Sequence, residues 1–234
     1  MSADIKNPAQ TESGRPVKIP AGSVSLDGEL VVPGDPAGLV IFAHGSGSSR
    51  FSPRNQHVAQ LLRQAGLGTL LFDLLTPHEE RADAERGILR FNIGLLTQRL
   101  VCAAHWLAGE DEARHQRLGF FGSSTGGGAA LVAAADLGRT IGAVVARGGR
   151  PDLAGNALRR VKCPTLLIVG ELDADVLELN EQALEMLDCP KRLSVVPNAT
   201  HLFEEPGALE EVARHAGEWF LENLGHGHGS RLPR

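Results

Sequence analysis

The segment that most constrains the fold of this chain is a run of small residues between an apolar run and a helix-forming run. An apolar stretch over 117–121 leads into Gly122-Ser123-Ser124-Thr125-Gly126, and residues 127–135 continue as small aliphatic residues. Strand, G-x-S-x-G and helix in this order predict a nucleophile elbow, a turn so tight that its central serine adopts a strained backbone conformation. The Ser124 hydroxyl would then stand at a helix N-terminus, where amide groups and the helix dipole favour a developing negative charge.

Two glycine-rich segments of the chain also raise the alternative of a nucleotide-binding site. A phosphate-binding loop needs Gly-Lys-Ser/Thr at its end, and Gly126-Gly127-Gly128 contains no lysine. A second segment, Gly45 to Arg50, is one residue short of the dinucleotide fingerprint, and Asp73 follows the next strand where a ribose-binding acid would lie. Because Arg50 replaces the glycine that lets helix and strand pack closely, and Pro53 lengthens the loop, we favour neither alternative.

Apolar runs alternate with amphipathic segments along the rest of the chain. The predicted strands are 38–43, 68–73, 117–121, 141–146, 164–169 and 192–196. The predicted helices are 54–65, 93–107, 127–135, 176–187 and 206–222. Residues 16–33 predict a β-hairpin with Asp27-Gly28 as its turn. This alternation predicts an α/β fold, a mostly parallel central sheet with helices on both faces and an antiparallel N-terminal edge.

Composition limits the domain number and the partners. The 234 residues suit one domain, expected over 16–222, with disordered segments at 1–15 and 223–234. A formal charge of −5 gives no reason to expect nucleic acid or an anionic membrane as a partner. The chain shows no signal core, no run near the roughly 20 apolar residues of a membrane span, and three widely spaced cysteines. We therefore expect a cytoplasmic protein with free thiols.

A serine nucleophile needs a base and an acid, and in a parallel sheet these lie beyond the carboxyl ends of strands. After the run at 164–169, Asp173 and Asp175 are both candidate acids. We favour Asp173 because Asp175 has a sufficient role as a helix N-cap. Asp152 is a weaker third candidate. His201 is the histidine that follows the last strand, and the order serine, aspartate, histidine is that of an α/β-hydrolase.

Acyl transfer also needs N–H donors for the oxyanion of the tetrahedral intermediate. The N–H of Thr125, directly after the nucleophile, is the expected first donor. The Ser46 N–H is the expected second, because Ser46 follows an early buried strand and is flanked by two glycines.

These motifs together make the chain resemble the α/β-hydrolase superfamily over about residues 16–222. The short segment at 147–163, where larger esterases carry a lid, resembles the dienelactone hydrolase branch. Members of that branch use cysteine in the elbow, so Ser124 departs from the pattern and a dienelactone substrate is not implied. The segment from His44 to Arg50 also resembles a subgroup of hydrolases, some fused to phosphoribosyltransferases.

The resemblance implies a serine hydrolase that forms an acyl-enzyme and needs neither cofactor nor metal. Without a lid, the site should favour a small soluble acyl substrate. Arg50, Arg147 and Arg150 follow predicted strands and are weak candidates for binding an anionic substrate. Two alternatives stay open: a thioesterase or lactonase with the same triad, and a non-catalytic binding or sensing module of the same fold. The oligomeric state, monomer or homodimer, does not follow from the sequence.

Overall fold

A computed structural model describes residues 14–225, and its central feature is one sheet of eight strands. The strands are β1 (Arg15–Ala21), β2 (Val24–Val31), β3 (Leu39–Ala43), β4 (Gly68–Phe72), β5 (Leu118–Ser123), β6 (Ile141–Arg147), β7 (Thr165–Gly170) and β8 (Lys191–Val196). Their order in space is β1-β2-β4-β3-β5-β6-β7-β8. The pairs β1–β2 and β2–β4 are antiparallel, and every later pair is parallel. The mostly parallel sheet with an antiparallel edge is confirmed.

The described residues form six α-helices, and five of them cover the two faces of this sheet. The six helices are α1 (Pro53–Gln64), α2 (Pro77–Asp83), α3 (Ile93–Gly109), α4 (Thr125–Leu137), α5 (Ala174–Met186) and α6 (Ala208–Leu224). Apolar side chains of α3, α4 and α5 share one buried cluster with the sheet. Those of α1 and α6 share the other. The sheet is therefore buried on both faces, as continuous apolar strands such as β3 require.

The parallel register brings the carboxyl ends of five neighbouring strands to one edge of the sheet. β3 pairs with β5, β5 with β6, β6 with β7, and β7 with β8. After each of these strands the chain leaves the sheet at this edge, and a helix carries it back to the opposite edge. The loops at the carboxyl ends of the strands carry the candidate functional residues.

The turn of the N-terminal hairpin was placed wrongly by the sequence pattern. The chain turns at Gly22-Ser23, and Asp27-Gly28 lies inside β2, paired with Lys18 and Val17 of β1. Gly22 has φ +69°, a left-handed conformation that glycine adopts without a steric penalty. The position of the turn follows from this glycine, whereas the Asp-Gly pair is accommodated in an extended strand.

Several short helical segments of the described residues escaped the sequence analysis, among them α2 and Pro151–Arg160. Thr76 caps α2, its hydroxyl accepting from the N–H of Glu79 while the Glu79 carboxylate accepts from the N–H of Thr76. This reciprocal pair is the capping box, readable in Thr-Pro-His-Glu. The segment Pro151–Arg160 forms 3₁₀ turns interrupted at Gly155.

The described strands and helices extend slightly beyond the expected bounds of 16–222. β1 begins at Arg15, and α6 continues to Leu224, two residues past the expected end. Most of both expected disordered segments lies outside the described residues. Within residues 14–225, no helix is both long and apolar enough to cross a membrane.

Candidate active site

Ser124 lies at the turn from β5 into α4 in the backbone conformation expected of a nucleophile elbow. Its φ of 50° and ψ of −122° are unusual for a residue with a side chain. The N–H of Ser124 donates to the carbonyl of Arg147 at 3.2 Å, and its own carbonyl accepts from Gly127 at 2.9 Å and Arg150 at 3.0 Å. Three backbone hydrogen bonds thus hold the strained residue from both sides.

Gly122 and Gly126, on either side of Ser124, have no room for a side chain. A Cβ at Gly126 would clash with the carbonyl oxygens of Ala43 and His44, and one at Gly122 would lie 2.6 Å from the carbonyl oxygen of Gly126. Both clashes are with backbone, which cannot move aside as a flexible side chain can. The end of β3 and the first turn of α4 therefore approach each other as closely as two main chains can.

Asp173 and His201 form a hydrogen-bonded pair next to this turn. Asp173 follows β7, His201 follows β8, and Nδ1 of His201 lies 2.6 Å from Oδ2 of Asp173. With an ionised carboxylate, Nδ1–H is the donor, which leaves Nε2 able to accept a proton. The ring has no other hydrogen-bond partner among residues 14–225.

The rival acids are placed elsewhere. Asp173 itself occupies the N-cap position of α5, yet its side chain makes no capping bond and turns to His201. Asp175, expected to be the N-cap, lies in the first turn of α5 and is exposed. Asp152 accepts two hydrogen bonds from the Arg150 guanidinium, at 2.8 and 2.7 Å.

Ser124 and His201 line one cavity of about 240 Å³, at the carboxyl edge of the sheet. Ser46 and Gly45 also line it, and a Cβ at Gly45 would lie 3.3 Å from the Cβ of Ser124. Thr125 is buried at the start of α4, where the first N–H groups have no partner within the helix. The expected oxyanion donors are therefore next to the expected nucleophile.

His44, which sequence analysis noted only as part of a resemblance, fixes the loop that carries Ser46. Its Nδ1 lies 2.9 Å from the carbonyl of Gly45, and Leu74 donates its N–H to Nε2 at 3.0 Å. The ring is therefore neutral, with Nδ1 as donor and Nε2 as acceptor. Burial lowers the pKa of His44, against the opposing effects of the Gly45 carbonyl and Asp73. This histidine ties the loop after β3 to the loop after β4.

A second, larger cavity adjoins the first. Its volume is about 410 Å³, and Gly45, Ser46, Ser48 and Ser52 line both cavities. The part of the larger cavity that is not shared is lined by apolar and charged side chains, including Leu74, Leu75, Leu96, Phe51, Glu80 and Arg90. The two spaces together are large enough for a small organic molecule with one end at Ser124.

The structure separates the candidate arginines. Arg50 pairs with Asp73 through its guanidinium and its N–H, and it lines neither cavity. Arg150 is held by Asp152, whereas Arg147 lines the cavity of Ser124. Arg54 and Asn55 line it too and were missed by sequence analysis, although both follow the Ser52-Pro53 helix start.

The described residues also bear on the metal and dinucleotide alternatives. They contain no group of three or more His, Cys, Asp or Glu placed to hold a metal ion. Asp73, which would bind a ribose in a dinucleotide fold, is instead occupied by Arg50.

The strand order, the elbow and the loops after β7 and β8 define the α/β-hydrolase fold. The chain matches the model of the dienelactone hydrolase family over residues 27–223, and it belongs to that family of hydrolases. It is 57% identical to a dienelactone hydrolase from Anabaena variabilis, with a TM-score of 0.89 over 91% of this chain and 98% of that one.

Two further similarities differ in what they show. Proteins from two strains of Mycobacterium tuberculosis, named as candidate phosphoribosyl transferases, are 55% identical over 208 residues, or 89% of this chain. The chain spans 46% of their length. Est1E from Butyrivibrio proteoclasticus is 17% identical, with a TM-score of 0.75 over 90% of this chain and 99% of that one, and shares the fold.

Proposed function

We propose that this protein is a serine hydrolase that cleaves a carboxylic ester, or a related acyl bond, of a small soluble substrate. One observation carries the proposal. A strained serine at an elbow and a histidine with a carboxylate partner at 2.6 Å line the same cavity. This is the arrangement that nucleophilic catalysis by serine needs.

In the first half of the reaction, Nε2 of His201 accepts the Ser124 proton while Oγ attacks the acyl carbon. Asp173 holds the imidazole in the required tautomer and stabilises its protonated form. The N–H groups of Thr125 and Ser46 donate to the oxyanion. The bond to the leaving group then breaks, and His201 returns its proton to that group.

In the second half, His201 removes a proton from water, and the hydroxide formed attacks the acyl carbon of the ester on Ser124. The C–O bond to Ser124 breaks, and its oxygen recovers a proton from His201. The free acid and the starting enzyme result. All these steps are proton transfers and acyl transfers to oxygen, so they call for no cofactor.

The small size of the substrate follows from the cavities and their cover. The segment that follows β6, Pro151–Arg160, folds into short 3₁₀ turns, and no lid domain is inserted there. The cavity at Ser124 is about 240 Å³, and the adjoining one about 410 Å³. These volumes suit a small ester better than a long-chain lipid.

Steady-state kinetics on a matched ester, thioester and lactone test the proposal. The wild type should hydrolyse at least one of them, and Ser124→Ala and His201→Ala should lose activity to a similar extent because the two residues act as a unit. The class with the highest kcat/KM identifies the acyl bond. A folded wild type that hydrolyses none of them, or a His201→Ala variant with full activity, would favour a binding or sensing module instead.

A further inference from the structure

Arg147 is a buried cation without a carboxylate partner beside the proposed nucleophile. It ends β6, paired in register with Ser123, and only 7% of the residue is exposed. Its Nε and Nη1 are fully buried and make no hydrogen bond, and its guanidinium lies 5.7 Å from the centre of the Phe203 ring. An arginine that stabilised only the fold would be expected to have these donors satisfied.

The charge of Arg147 is costly at this buried position. Burial, together with the nearby charge of Arg54, lowers its pKa to about 10. It is nevertheless cationic at neutral pH, and no acidic residue of the described chain forms a salt bridge with it. A bound anion would relieve both the desolvation and the repulsion between the two arginines.

The N-terminus of α1 presents further donors to the same cavity. Arg54 has a buried Nε without a partner, while its Nη1 reaches Glu204 at 3.1 Å. Asn55 accepts from the Ser123 hydroxyl through Oδ1 at 3.0 Å, which leaves its amide NH₂ as the group available to a ligand. The first turn of this 12-residue helix adds a favourable dipole for an anion.

We propose that Arg147, Arg54 and Asn55 form a subsite for an oxyanionic group of the substrate, either a carboxylate or a phosphate. The subsite rests on the proposed function, since it selects esters for hydrolysis at Ser124. It is separate from the backbone donors of the oxyanion hole. Its donors come from two elements, the end of β6 and the start of α1, and line the same cavity.

A kinetic test compares charged with neutral esters. Three anionic probes are 4-acetoxybenzoate, 4-acetoxyphenyl phosphate and 4-nitrophenyl hemisuccinate, with methyl 4-acetoxybenzoate and 4-nitrophenyl butyrate as neutral references. Methyl 4-acetoxybenzoate is the reference for the two acetate esters, and 4-nitrophenyl butyrate is the reference for the hemisuccinate. For at least one anionic probe, the ratio of its kcat/KM to that of its reference should be about tenfold or more lower in Arg147→Met and in Arg54→Gln than in the wild type. The benzoate and phosphate arms distinguish the two anions. Arg160→Gln, a change at an exposed arginine paired with Asp136, should leave every ratio unaltered.

A binding test needs no hydrolysis, so its outcome is independent of the proposed function. In Ser124→Ala, inorganic phosphate or succinate should raise the melting temperature in a saturable way. Adding Arg147→Met should raise the melting temperature without anion, because a buried unpaired charge is removed, and should abolish most of the anion response. An equal anion response with and without Arg147 would overturn the proposal. If Arg147→Met does not fold, an unchanged response in Arg54→Gln would overturn it equally.

Discussion

At the scale of single residues, the candidate site depends on which side chains meet across neighbouring strand ends. Ser124 could be proposed from its G-x-S-x-G motif, and His201 from its position in the loop after the last strand, downstream of the acid. The sequence did not indicate that Arg54 and Asn55 line the cavity or that His44 links two loops. These roles depend on how segments far apart in sequence pack against each other. Arg50 illustrates the same limit, since its partner Asp73 is 23 residues away.

The choice between two neighbouring aspartates can be tested directly. Asp173→Asn should lower kcat on the order of 10⁴-fold with little change in KM, because the amide favours the wrong imidazole tautomer. Asp175→Asn is the matched control, since Asp175 is exposed in the first turn of α5. Steady-state kinetics of both variants check this. The reverse outcome, with the large loss in Asp175→Asn, would show that the wrong acid has been assigned.

At the scale of elements, the elbow and the loop after β3 depend on backbone contacts that the sequence only partly reveals. The glycine spacing indicated a tight turn, yet only the structure shows that Gly126 lies against the carbonyls of Ala43 and His44. The capping box of α2 was readable in the sequence but was overlooked. The Asp27-Gly28 pair resembled a turn because the sequence does not show that both residues pair with β1 inside a strand.

The close approach at the elbow predicts a stability loss from the smallest possible side chain. Gly126→Ala should lower the free energy of unfolding by about 1–3 kcal/mol, because its methyl group meets main-chain oxygens that cannot move freely. Gly109→Ala serves as the control, since a Cβ at this end of α3 meets nothing within 4 Å. Urea unfolding of both variants measures the difference. Equal stability of the two variants would mean that the turn is not tightly packed.

The histidine that ties two loops together predicts a pH dependence. Because the folded-state pKa of His44 lies below its ordinary value of 6.5, the unfolded chain binds a proton first as the pH falls. The stability that the neutral ring contributes is therefore present above about pH 6.5 and declines below it, until the folded state is protonated too.

The measurement is the free energy of unfolding from pH 8 to pH 5 for the wild type and His44→Gln. The advantage of the wild type should shrink below about pH 6.5. His105→Gln, on the exposed side of α3, should give a curve parallel to that of the wild type. Parallel curves for His44→Gln as well would contradict the assigned tautomer and its contacts.

At the scale of the whole molecule, alternation of strands and helices was sufficient to predict the layered sheet, because each layer must bury an apolar face. Two apolar clusters, one on each face of the sheet, realise that expectation. The antiparallel edge followed from the hairpin that precedes the first buried strand. The order of strands in space could not be derived from periodicity, and only the structure shows it.

The reactivity of the buried thiols shows whether the core of the molecule unfolds locally or only as a whole. Burial raises the pKa of Cys163 to about 12 and also raises that of Cys189, whereas Cys102 is partly exposed. Iodoacetamide at pH 8 should therefore leave Cys163 and Cys189 unmodified in the native protein and modify all three cysteines in urea. Peptide mass spectrometry measures the extent at each site. Rapid native labelling of Cys163 would show that its part of the core opens without global unfolding.

The central claim is that Ser124 is an activated nucleophile, and covalent labelling with a fluorophosphonate tests it most directly. Intact mass spectrometry of the wild type should show one adduct, and peptide mapping should place it on Ser124. Ser124→Ala, shown by circular dichroism to be folded, should acquire none. A folded wild type that takes up no label, or a label that persists in Ser124→Ala, would contradict the claim.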